Sequence, residues 1–354
     1  MSDTRSVPVV PIESINLSDF HIIDVRSPKE FHEFHIEGAT NVPIFSNEER
    51  EEVGTTYKQI GEEEAKMLGL SIVSPKLPQM VERLKGLGDS DRKPYLIYCA
   101  RGGMRSNSFA TVMKLMGLDC CQLNGGIRSY RQYITAKLEQ YSKTPKQFIV
   151  LEGLTGTRKT DILEVLQEEG YPVINLENLA GHRGSIFGEI GNEGRSQKMF
   201  DRDLFRRLQQ IDQHPYYIIE SESKRIGRVI VPDWILKGKE KGKRLHIHYP
   251  LESRVQSICE TYQPELFHDQ IGEALHLLKK RLASEVYESI LLSFHEKDYE
   301  NVVRVLLVTY YDPKYNFTAH QYHSPVIDLA IENLEDGLKS VKNMIQKLQL
   351  HSYC

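Results

Sequence analysis

One short run of residues constrains this chain more than any other: a cysteine that directly follows an apolar strand and opens a basic, glycine-containing turn. A strand is predicted over Tyr95–Tyr98, the turn reads Cys99-Ala-Arg-Gly-Gly-Met-Arg105, and a helix is predicted over residues 106–116. In this arrangement the N–H groups of the turn and of the helix N-terminus point back at the sulfur. Together with Arg101 and Arg105 they lower the thiol pKa below the free value of about 8.5 and hold an anion beside the sulfur. The pattern indicates a nucleophile that acts on, or carries, an anionic or chalcogen group, rather than a structural cysteine.

A second strand, glycine-containing turn and helix follow later in the chain. Apolar residues 147–151 lead into Gly153-Leu-Thr-Gly-Thr-Arg-Lys-Thr160, and residues 161–169 have helical periodicity. This is the context of a P-loop, in which backbone N–H groups, a lysine and a hydroxyl surround a phosphate. The pattern G-x-x-x-x-G-K-[ST] fails at Arg158, which adds a cation beside Lys159 where the second glycine belongs. We therefore expect a phosphate or diphosphate site rather than a nucleotide hydrolase, built from Gly153, Thr155, Gly156, Thr157, Arg158, Lys159 and Thr160.

Three more runs in the same half carry polar residues that suggest binding. The run 177–188 is too polar for a core and too glycine-rich for a long helix, which predicts a functional loop with His182 and Arg183 as anion contacts. A strand over 216–220 ends in Glu220-Ser-Glu222, and a carboxylate at such a strand end helps to place a metal or a water. Residues 224–244 contain eight Lys or Arg and Trp234, which fits either a nucleic-acid contact or a solvated loop.

The order of these elements predicts a two-domain α/β protein. Alternating strands and helices indicate parallel, doubly wound sheets, and the polar stretch around Pro145 marks the boundary. We place a first domain at residues 1–140 and a second at residues 147–354, the second with a helical C-terminal part. Long amphipathic helices are predicted over 275–292 and 327–348, while the valine-rich run 301–310 fits a helix or a strand.

The composition of the chain says more about the cellular location of the protein than about its function. The 354 residues are 40% hydrophobic and 27% charged with a net charge of −4, which gives no global sign of nucleic-acid binding. We expect no membrane span, no secretion signal and a cytoplasmic location. The five cysteines lack metal-ligand spacing, so no protein metal site is expected. Cys120 and Cys121 are adjacent in a predicted strand, either as packing residues or, for one of them, as a resolving thiol for Cys99.

Residues 8–140 resemble a rhodanese domain. The resemblance is carried by His21-Ile-Ile-Asp-Val-Arg26, by Ile36-Glu-Gly-Ala-Thr-Asn-Val-Pro43, by the cysteine turn and by Leu123-Asn-Gly-Gly-Ile-Arg-Ser-Tyr130. It implies that the loop cysteine takes sulfur or selenium as a persulfide or selenylsulfide. The usual sulfurtransferase loop is Cys-x4-Arg. This chain has Cys-x5-Arg, a length shared with rhodanese-like phosphatases, so a larger anion such as a phosphate or a selenophosphate fits the wider turn.

Over nearly its whole length the chain resembles the bacterial tRNA 2-selenouridine synthase family. The motifs are YCARGGMRS, GLTGTRKT, NLENLAGHRGSIFG, IIESESKRIG and YYDPKY in that order, with Gly54-Thr-Thr-Tyr-Lys-Gln59. The resemblance implies tRNA as a partner and two reactions at the wobble 2-thiouridine of lysine, glutamate and glutamine tRNAs. Geranyl diphosphate first alkylates the sulfur, and selenium from selenophosphate then displaces the geranylthiol.

The same resemblance divides the candidate residues between these two reactions. Cys99, Arg101 and Arg105 are implied for the selenium step. The P-loop residues, His182 and Arg183 are implied for the prenyl diphosphate or a tRNA phosphate, with Glu220 or Glu222 as holders of Mg²⁺, a candidate cofactor. An enzyme that supplies selenophosphate is a candidate partner.

Two other functions stay open from the sequence alone. A rhodanese-type sulfurtransferase or phosphatase with an appended phosphate-binding domain uses Cys99 but has no use for the HRGSIFG and YYDPKY motifs. A tRNA-binding module with a vestigial P-loop has no catalytic use for either site.

Overall fold

A computed structural model describes residues 6–88, 93–144, 146–314 and 325–350 of the chain. Pro145, Tyr315 and Cys354 lie outside these ranges. The chain divides into two units, Met1–Glu139 and Gln140–Cys354. Each unit contains a five-stranded sheet whose strand pairs, as far as the structure describes them, are all parallel, which confirms the predicted α/β class.

The first unit alternates short strands with helices. Its strands are β1 (Val9–Val10), β2 (His21–Asp24), β3 (Thr40–Asn41), β4 (Tyr95–Tyr98) and β5 (Cys120–Leu123). Its helices are α1 (Pro28–Glu33), α2 (Asn47–Gln59), α3 (Glu62–Val73), α4 (Leu77–Gly88), α5 (Met104–Leu115) and the start of α6 (Gly126–Lys143). The sheet has the order β1-β5-β4-β2-β3, so β4 is its central strand.

Strand β4 is apolar because it lies in the middle of this sheet. All four of its residues are buried, as expected for a central parallel strand covered on both faces. Phe109 and Met113 of α5 pack with Ile97 of β4 in one hydrophobic core. This packing holds the start of α5 close to the end of β4, so the cysteine turn between them is short.

The second unit begins with the strand that precedes the P-loop. Its strands are β6 (Gln147–Glu152), β7 (Val173–Ile174), β8 (Tyr216–Glu220), β9 (Arg225–Ile226), β10 (Val229–Ile230), β11 (Lys243–His248) and β12 (Val326–Ala330). Its helices are α7 (Lys159–Glu168), α8 (Leu176–Ala180), α9 (Gln197–Ile211), α10 (Asp233–Lys241), α11 (Leu251–Tyr262), α12 (His268–Leu278), α13 (Ser284–His295), α14 (Tyr299–Leu306) and α15 (Leu334–Leu350). The five-stranded sheet has the order β12-β11-β6-β8-β7.

The sheet register brings the P-loop and the acidic strand end together. Strands β6 and β8 are parallel neighbours, and Leu151 is paired with Glu220. Because the carboxyl ends of parallel strands meet at one edge, the turn that follows β6 lies beside the residues that follow β8. The predicted anion contacts and the predicted carboxylates are therefore neighbours.

Two of the predicted C-terminal helices are wrong in extent. The segment 275–292 is two helices, α12 and α13, separated by a turn at 279–283. Its apolar spacing looks continuous because Leu275, Leu278 and Ile290 pack in the same core from both helices. The valine-rich run 301–310, left open between helix and strand, is helical: α14 continues into a π-helical turn over Leu307–Tyr311.

The predicted helix over 327–348 begins with a strand instead. Val326–Ala330 forms β12, which pairs in parallel with β11, and α15 starts only at Leu334. Ile327 and Leu329 alternate with more exposed neighbours, a period of two that fits a strand. Within the described ranges no helix combines the length and the apolar character that a membrane crossing needs.

Candidate functional site

Three donor groups act on the sulfur of Cys99 at the junction between β4 and α5. Ser106 Oγ donates to Cys99 Sγ over 3.1 Å, and the backbone N–H groups of Arg101 and Ser106 also point at the sulfur. Burial on its own raises the pKa of this thiol. The donors and the nearby charge of Arg105 outweigh the burial, so the pKa lies below its ordinary value.

The other described cysteines behave in the opposite way. Burial raises the pKa of Cys120, Cys121 and Cys259 to about 11. Cys120 and Cys121 are both buried in β5, and Cys120 Sγ donates to the Ala110 carbonyl, so these two are packing residues. Cys99 is itself only 3% exposed, yet its surroundings favour the thiolate. The sulfur thus lies beneath the turn rather than open to solvent.

The two arginines of the turn contribute in different ways. Arg105 donates from Nη1 to Glu30 Oε2 over 2.8 Å, which fixes the guanidinium within reach of the sulfur's charge. Glu30 is itself held by Ser27, because the two residues form the capping box of α1. Arg101 contributes its backbone N–H to the sulfur, while the residue itself is exposed. Of the two predicted guanidinium groups, that of Arg105 is the one held in place by a residue that the structure describes.

A glycine pair after β5 sets the orientation of the cysteine turn. Ile127 N–H donates to the Cys99 carbonyl over 2.9 Å, and Arg128 N–H donates to the Ala100 carbonyl over 3.2 Å. These bonds turn the carbonyls toward α6 and leave the N–H groups of the turn for the sulfur. Gly126 has φ +58°, and a Cβ there would lie 2.2 Å from the Cys99 carbonyl oxygen. The Leu-x-Gly-Gly pattern is therefore a backbone requirement of the cysteine turn.

The P-loop of the second unit folds around the side chain of Lys159. Lys159 Nζ donates to the Gly153 carbonyl over 2.8 Å, to the Leu154 carbonyl over 3.1 Å and to Thr157 Oγ1 over 3.3 Å. Burial lowers the pKa of this lysine, although three glutamates nearby act against that effect. The turn and the helix that Lys159 begins have the form of an anion cradle.

Arg158 takes up the position of the missing glycine. Its φ of +58° lies in the left-handed region, which costs a non-glycine residue about 1 kcal/mol. Arg158 Nη1 lies 3.1 Å from Asp161 Oδ2, and Nη2 pairs with Glu260. The expected extra cation beside Lys159 is therefore engaged by two carboxylates.

A buried acidic cluster faces Lys159 at the end of β8. Glu220 Oε1 accepts from Glu177 N–H over 2.7 Å, and Thr160 Oγ1 donates to Glu177 Oε2 over 3.1 Å. Burial, reinforced by the charge of Glu222, raises the pKa of Glu177 to about 7. Burial and the charges of Glu177 and Glu222 raise the pKa of Glu220 well above its ordinary value. The described residues hold no group of three or more His, Cys, Asp or Glu arranged for a metal.

Most of the predicted anion contacts line one cavity of about 1500 Å³, open solvent included. The residues that line it include Thr155, Gly156, Thr157, Arg158, Lys159, Thr160, Arg183, Glu220 and Glu222. Gly153 instead supplies a carbonyl to Lys159. His182 supports the loop, since its Nδ1 accepts from Gly184 N–H over 3.0 Å. Arg183 donates to the Ile190 carbonyl and lies 5.1 Å from the centre of the Tyr262 ring.

Asp312, the aspartate of the YYDPKY motif, is linked to the P-loop through the side chain of Arg254. Arg254 donates to both Asp312 carboxylate oxygens, over 3.0 and 2.6 Å, and from Nε to the Thr155 carbonyl over 2.8 Å. Lys314, Tyr310 and Tyr311 of the same motif line the cavity, as does Arg281. The motif thus contributes to the lining of the P-loop cavity.

The basic segment 224–244 is less exposed than its composition suggests. Lys239 is buried and donates to the Glu222 carbonyl, and Arg244 is buried and donates to Glu152 over 2.7 Å. Trp234 is half-buried and packs edge-on to Phe148. Lys239 and Arg244 therefore belong to the protein interior and not to a nucleic-acid surface. The exposed cations of the segment are Lys224, Arg225, Arg228, Lys237, Lys241 and Lys243.

Several residues that the sequence interpretation did not single out complete the two sites. Ser106 and Glu30 complete the cysteine turn, and Glu177 and Arg254 complete the P-loop cavity. Ser106 was within the motif, and a cysteine followed at i+7 by a hydroxyl at the start of a helix is a usable signal. Arg254 has no local signal, since it reaches the P-loop only through tertiary packing.

Comparison with known proteins identifies both units. A family model described as the tRNA 2-selenouridine synthase AAA domain matches residues 146–347, and one described as the rhodanese-like domain matches residues 12–133. A tRNA 2-selenouridine synthase of Hydrogenovibrio crunogenus is 32% identical over 86% of this chain and 91% of its own length.

Two further relatives carry the same name. The protein from Nitrosomonas europaea is 34% identical over 74% of this chain and 68% of its own length. The one from Shewanella denitrificans is 30% identical over 91% of this chain and 94% of its own length. With both of its units matched and its relatives aligned along most of their length, this chain belongs to the tRNA 2-selenouridine synthase family.

Proposed function

We propose that the chain converts the wobble 2-thiouridine of tRNA into 2-selenouridine in two steps, one at each site. The family membership supports tRNA as the substrate and selenophosphate as the selenium donor. The observation that carries the two-step account is the chemical contrast between the sites. One unit holds an activated thiol without a P-loop, and the other holds a P-loop cavity beside a cysteine whose pKa is raised to about 11.

In the first step the second unit transfers a geranyl group from geranyl diphosphate to the nucleoside sulfur. The sulfur attacks C1 of the geranyl group, the C1–O bond breaks, and its electron pair leaves on diphosphate. The N3 proton of the nucleoside is lost to water. We assign the neutralisation of the leaving diphosphate to Thr157, Lys159 and Thr160, which line the cavity, together with the P-loop N–H groups.

Mg²⁺ is part of this proposal only as an ion that arrives with the diphosphate. A magnesium ion bound to substrate phosphates needs one or two protein carboxylates, and Glu220 or Glu222 at the cavity fits that role. The oxygen-rich set Thr160, Glu177 and Glu220 is of the type that Mg²⁺ prefers. The ion would supply positive charge to the diphosphate.

In the second step selenium from selenophosphate replaces the geranylthio group. Alkylation turns the nucleoside sulfur into a good leaving group, which is the reason for the order of the steps. Cys99 is the proposed nucleophile: its thiolate attacks the phosphorus of selenophosphate, the P–Se bond breaks, and the electron pair leaves with selenium as hydrogen selenide. The selenide adds to C2 of the nucleoside, the C2–S bond breaks, and geranylthiolate leaves and takes up a proton. Water then hydrolyses the phosphocysteine to phosphate and the free thiol. Arg105 and the N–H groups of the cysteine turn stabilise the anions on either side of the reaction.

The substrates are expected to be the lysine, glutamate and glutamine tRNAs, with a selenophosphate-supplying enzyme as a second partner in the cytoplasm. The exposed part of the basic segment, including Lys237 and Lys241, is the proposed contact for tRNA phosphates. Binding at this surface weakens with rising salt, because the phosphate contacts release counterions.

The test is an incubation of the protein with 2-thiouridine tRNA and geranyl diphosphate, with and without selenophosphate, followed by digestion to nucleosides and mass spectrometry. We expect S-geranyl-2-thiouridine without selenophosphate and 2-selenouridine with it. Absence of the geranylated nucleoside at every Mg²⁺ concentration contradicts the first step and favours a tRNA-binding module.

A rhodanese-type sulfurtransferase remains the second candidate, because the cysteine turn alone fits it. Cys99→Ser compared with wild type separates the two, with thiosulfate:cyanide transfer and tRNA selenation as parallel assays. The proposal predicts loss of selenation. Loss of sulfur transfer alone favours the rival.

A further inference from the structure

An apolar pocket opens beside the P-loop cavity in the second unit. It encloses about 610 Å³, open solvent at its mouth included. Five residues line both spaces and mark where they meet: Thr155, Ser185, Ile258, Tyr262 and Tyr311. The pocket and the cavity are therefore adjacent, and these five residues form the border between them.

Beyond this border the pocket is built from the apolar side chains of the C-terminal helices. Its wall includes Phe187, Ile271, Tyr299, Val302, Val303 and Leu306. None of the described residues that line it is charged. Ile271, Tyr299 and Val302 are buried and belong to the core formed by α12, α13 and α14, so this side of the pocket is closed by packed structure. A wall of this kind favours hydrocarbon over water.

The adjoining cavity has the opposite chemistry. Its lining is charged and includes Lys159, Arg281 and Lys314 together with the P-loop and the carboxyl groups of Glu177, Glu220 and Glu222. A ligand that fills both spaces therefore carries phosphate at one end and a hydrocarbon chain at the other. An inorganic phosphate or diphosphate has no part that uses the apolar half.

We propose that the apolar pocket binds the hydrocarbon chain of an allylic diphosphate whose diphosphate lies in the P-loop cavity, and that its closed side limits the chain length. This inference rests on the proposed geranyl transfer and assigns the site that selects the donor. The residues at the border then surround the first carbon of the chain. The pocket makes the second unit selective for an alkyl diphosphate over diphosphate itself.

Two valines that are alike in chemistry but differ in their surroundings provide a matched test. Val303 lines the pocket, whereas Val308, five residues further along, is 52% exposed. Val303→Phe fills the pocket and Val308→Phe adds the same bulk in solvent. The probes are an unreactive thio analogue of geranyl diphosphate and inorganic diphosphate, titrated calorimetrically into the full chain.

The expected result separates the contribution of the hydrocarbon chain to ligand affinity from that of the diphosphate. Val303→Phe weakens binding of the geranyl analogue at least about tenfold and leaves inorganic diphosphate unchanged, while Val308→Phe changes neither. Equal binding of the geranyl analogue by Val303→Phe and wild type overturns the proposal. So does a wild type that binds the analogue no more tightly than inorganic diphosphate.

A pocket-enlarging variant keeps the test decisive should Val303→Phe fail to fold. Ile271→Ala removes bulk from the closed side, so the affinity for a farnesyl analogue relative to the geranyl analogue rises about fivefold or more. An unchanged ratio contradicts a limit on chain length. These binding results can be told apart from a failure of the proposed function. If binding depends on the hydrocarbon chain but no geranylated tRNA forms, the pocket assignment stands and the transfer reaction is contradicted. If geranyl transfer occurs and Val303→Phe does not change it, the transfer reaction stands and the pocket assignment is contradicted.

Discussion

The hydroxyl of Ser106 donates its hydrogen to the sulfur of Cys99 over 3.1 Å, and it accepts one from Gln122 Nε2 over 2.8 Å. A hydroxyl has a single hydrogen to give, and the bond from Gln122 leaves it for the sulfur or for the Gly103 carbonyl, which lies 3.2 Å away. A thiolate attracts this hydrogen more strongly than a neutral carbonyl, because it carries a charge. The thiolate is thus stabilised by a chain that runs from β5 through α5 to the cysteine turn. This relationship explains how a cysteine that is 3% exposed keeps a low pKa.

Replacement of Ser106 by Ala is expected to raise the pKa of Cys99, because a hydrogen bond to a charged group is lost. Less thiolate is then present at neutral pH, so the rate of alkylation by iodoacetamide falls there and recovers at higher pH. The pH profile of Cys99 alkylation measures this shift. Ser108→Ala is the control, since Ser108 on the same helix donates to the Met104 carbonyl and is exposed. Identical profiles for Ser106→Ala and wild type contradict the role of this hydroxyl.

Replacement of Gly126 by Ala is expected to disrupt the cysteine turn. A Cβ at this position would lie 2.2 Å from the Cys99 carbonyl oxygen, and the residue has a positive φ. We expect a loss of about 2 kcal/mol or more in the free energy of unfolding, together with a higher pKa of Cys99. Gly86→Ala is the matched control, because nothing lies within 4 Å of its Cβ position in α4 and alanine favours helix there. Urea unfolding measures both, and a Gly126→Ala protein as stable as wild type refutes the backbone requirement.

Replacement of Asp312 by Ala leaves the buried guanidinium of Arg254 without its carboxylate and loosens the P-loop. We expect a loss of about 3 kcal/mol in the free energy of unfolding and a higher KM for geranyl diphosphate, with selenation of pre-geranylated tRNA unaffected. Glu252→Ala is the control, because Glu252 lies on the same helix as Arg254 but pairs with Arg304 at the surface. Its loss in the free energy of unfolding is expected to be less than about 1 kcal/mol. Equal losses in the two variants, or an unchanged KM in Asp312→Ala, count against the positioning role.

Glu177 is expected to make stability depend on pH. Burial and the charge of Glu222 raise its pKa from 4.5 to about 7, while Lys159, Thr160 and Arg183 act in the other direction. The folded state therefore binds a proton more tightly than the unfolded chain. The resulting stabilisation is present at low pH and disappears as the pH rises through about 7.

Glu177→Gln removes this dependence, so the variant gains about 2 kcal/mol relative to wild type between pH 5 and pH 8. Urea unfolding at the two pH values measures the difference. Glu168→Gln, on the exposed face of α7, is the control. A constant difference between Glu177→Gln and wild type at both pH values shows that the carboxyl titrates normally.

The local parts of both sites were predictable from the sequence, because they are built from consecutive residues. The β4 strand matched its predicted bounds, and the P-loop turn followed β6 as expected. A strand, a glycine-containing turn and a helix each depend on short-range geometry, and the order of the motifs carries the family resemblance. The α/β class followed from the same local patterns.

The partners that complete the sites were beyond the sequence, because they are brought together by packing. Arg254 lies 99 residues from Thr155, to whose carbonyl it donates. Lys239 and Arg244 looked like surface cations from composition, but their side chains turn inward to Glu222 and Glu152. The error over 275–292 has a similar origin, because the apolar period is preserved across the turn between α12 and α13 when both helices share one core.

The central claim is that Cys99 and Lys159 serve two different steps, and the most direct measurement is a nucleoside analysis of tRNA treated with the two variants Cys99→Ser and Lys159→Ala. The account predicts that Cys99→Ser forms S-geranyl-2-thiouridine and stops there. It predicts that Lys159→Ala forms no geranylated nucleoside from 2-thiouridine but still selenates tRNA that has been geranylated beforehand. Loss of the same step in both variants contradicts the division of the reaction between the two sites.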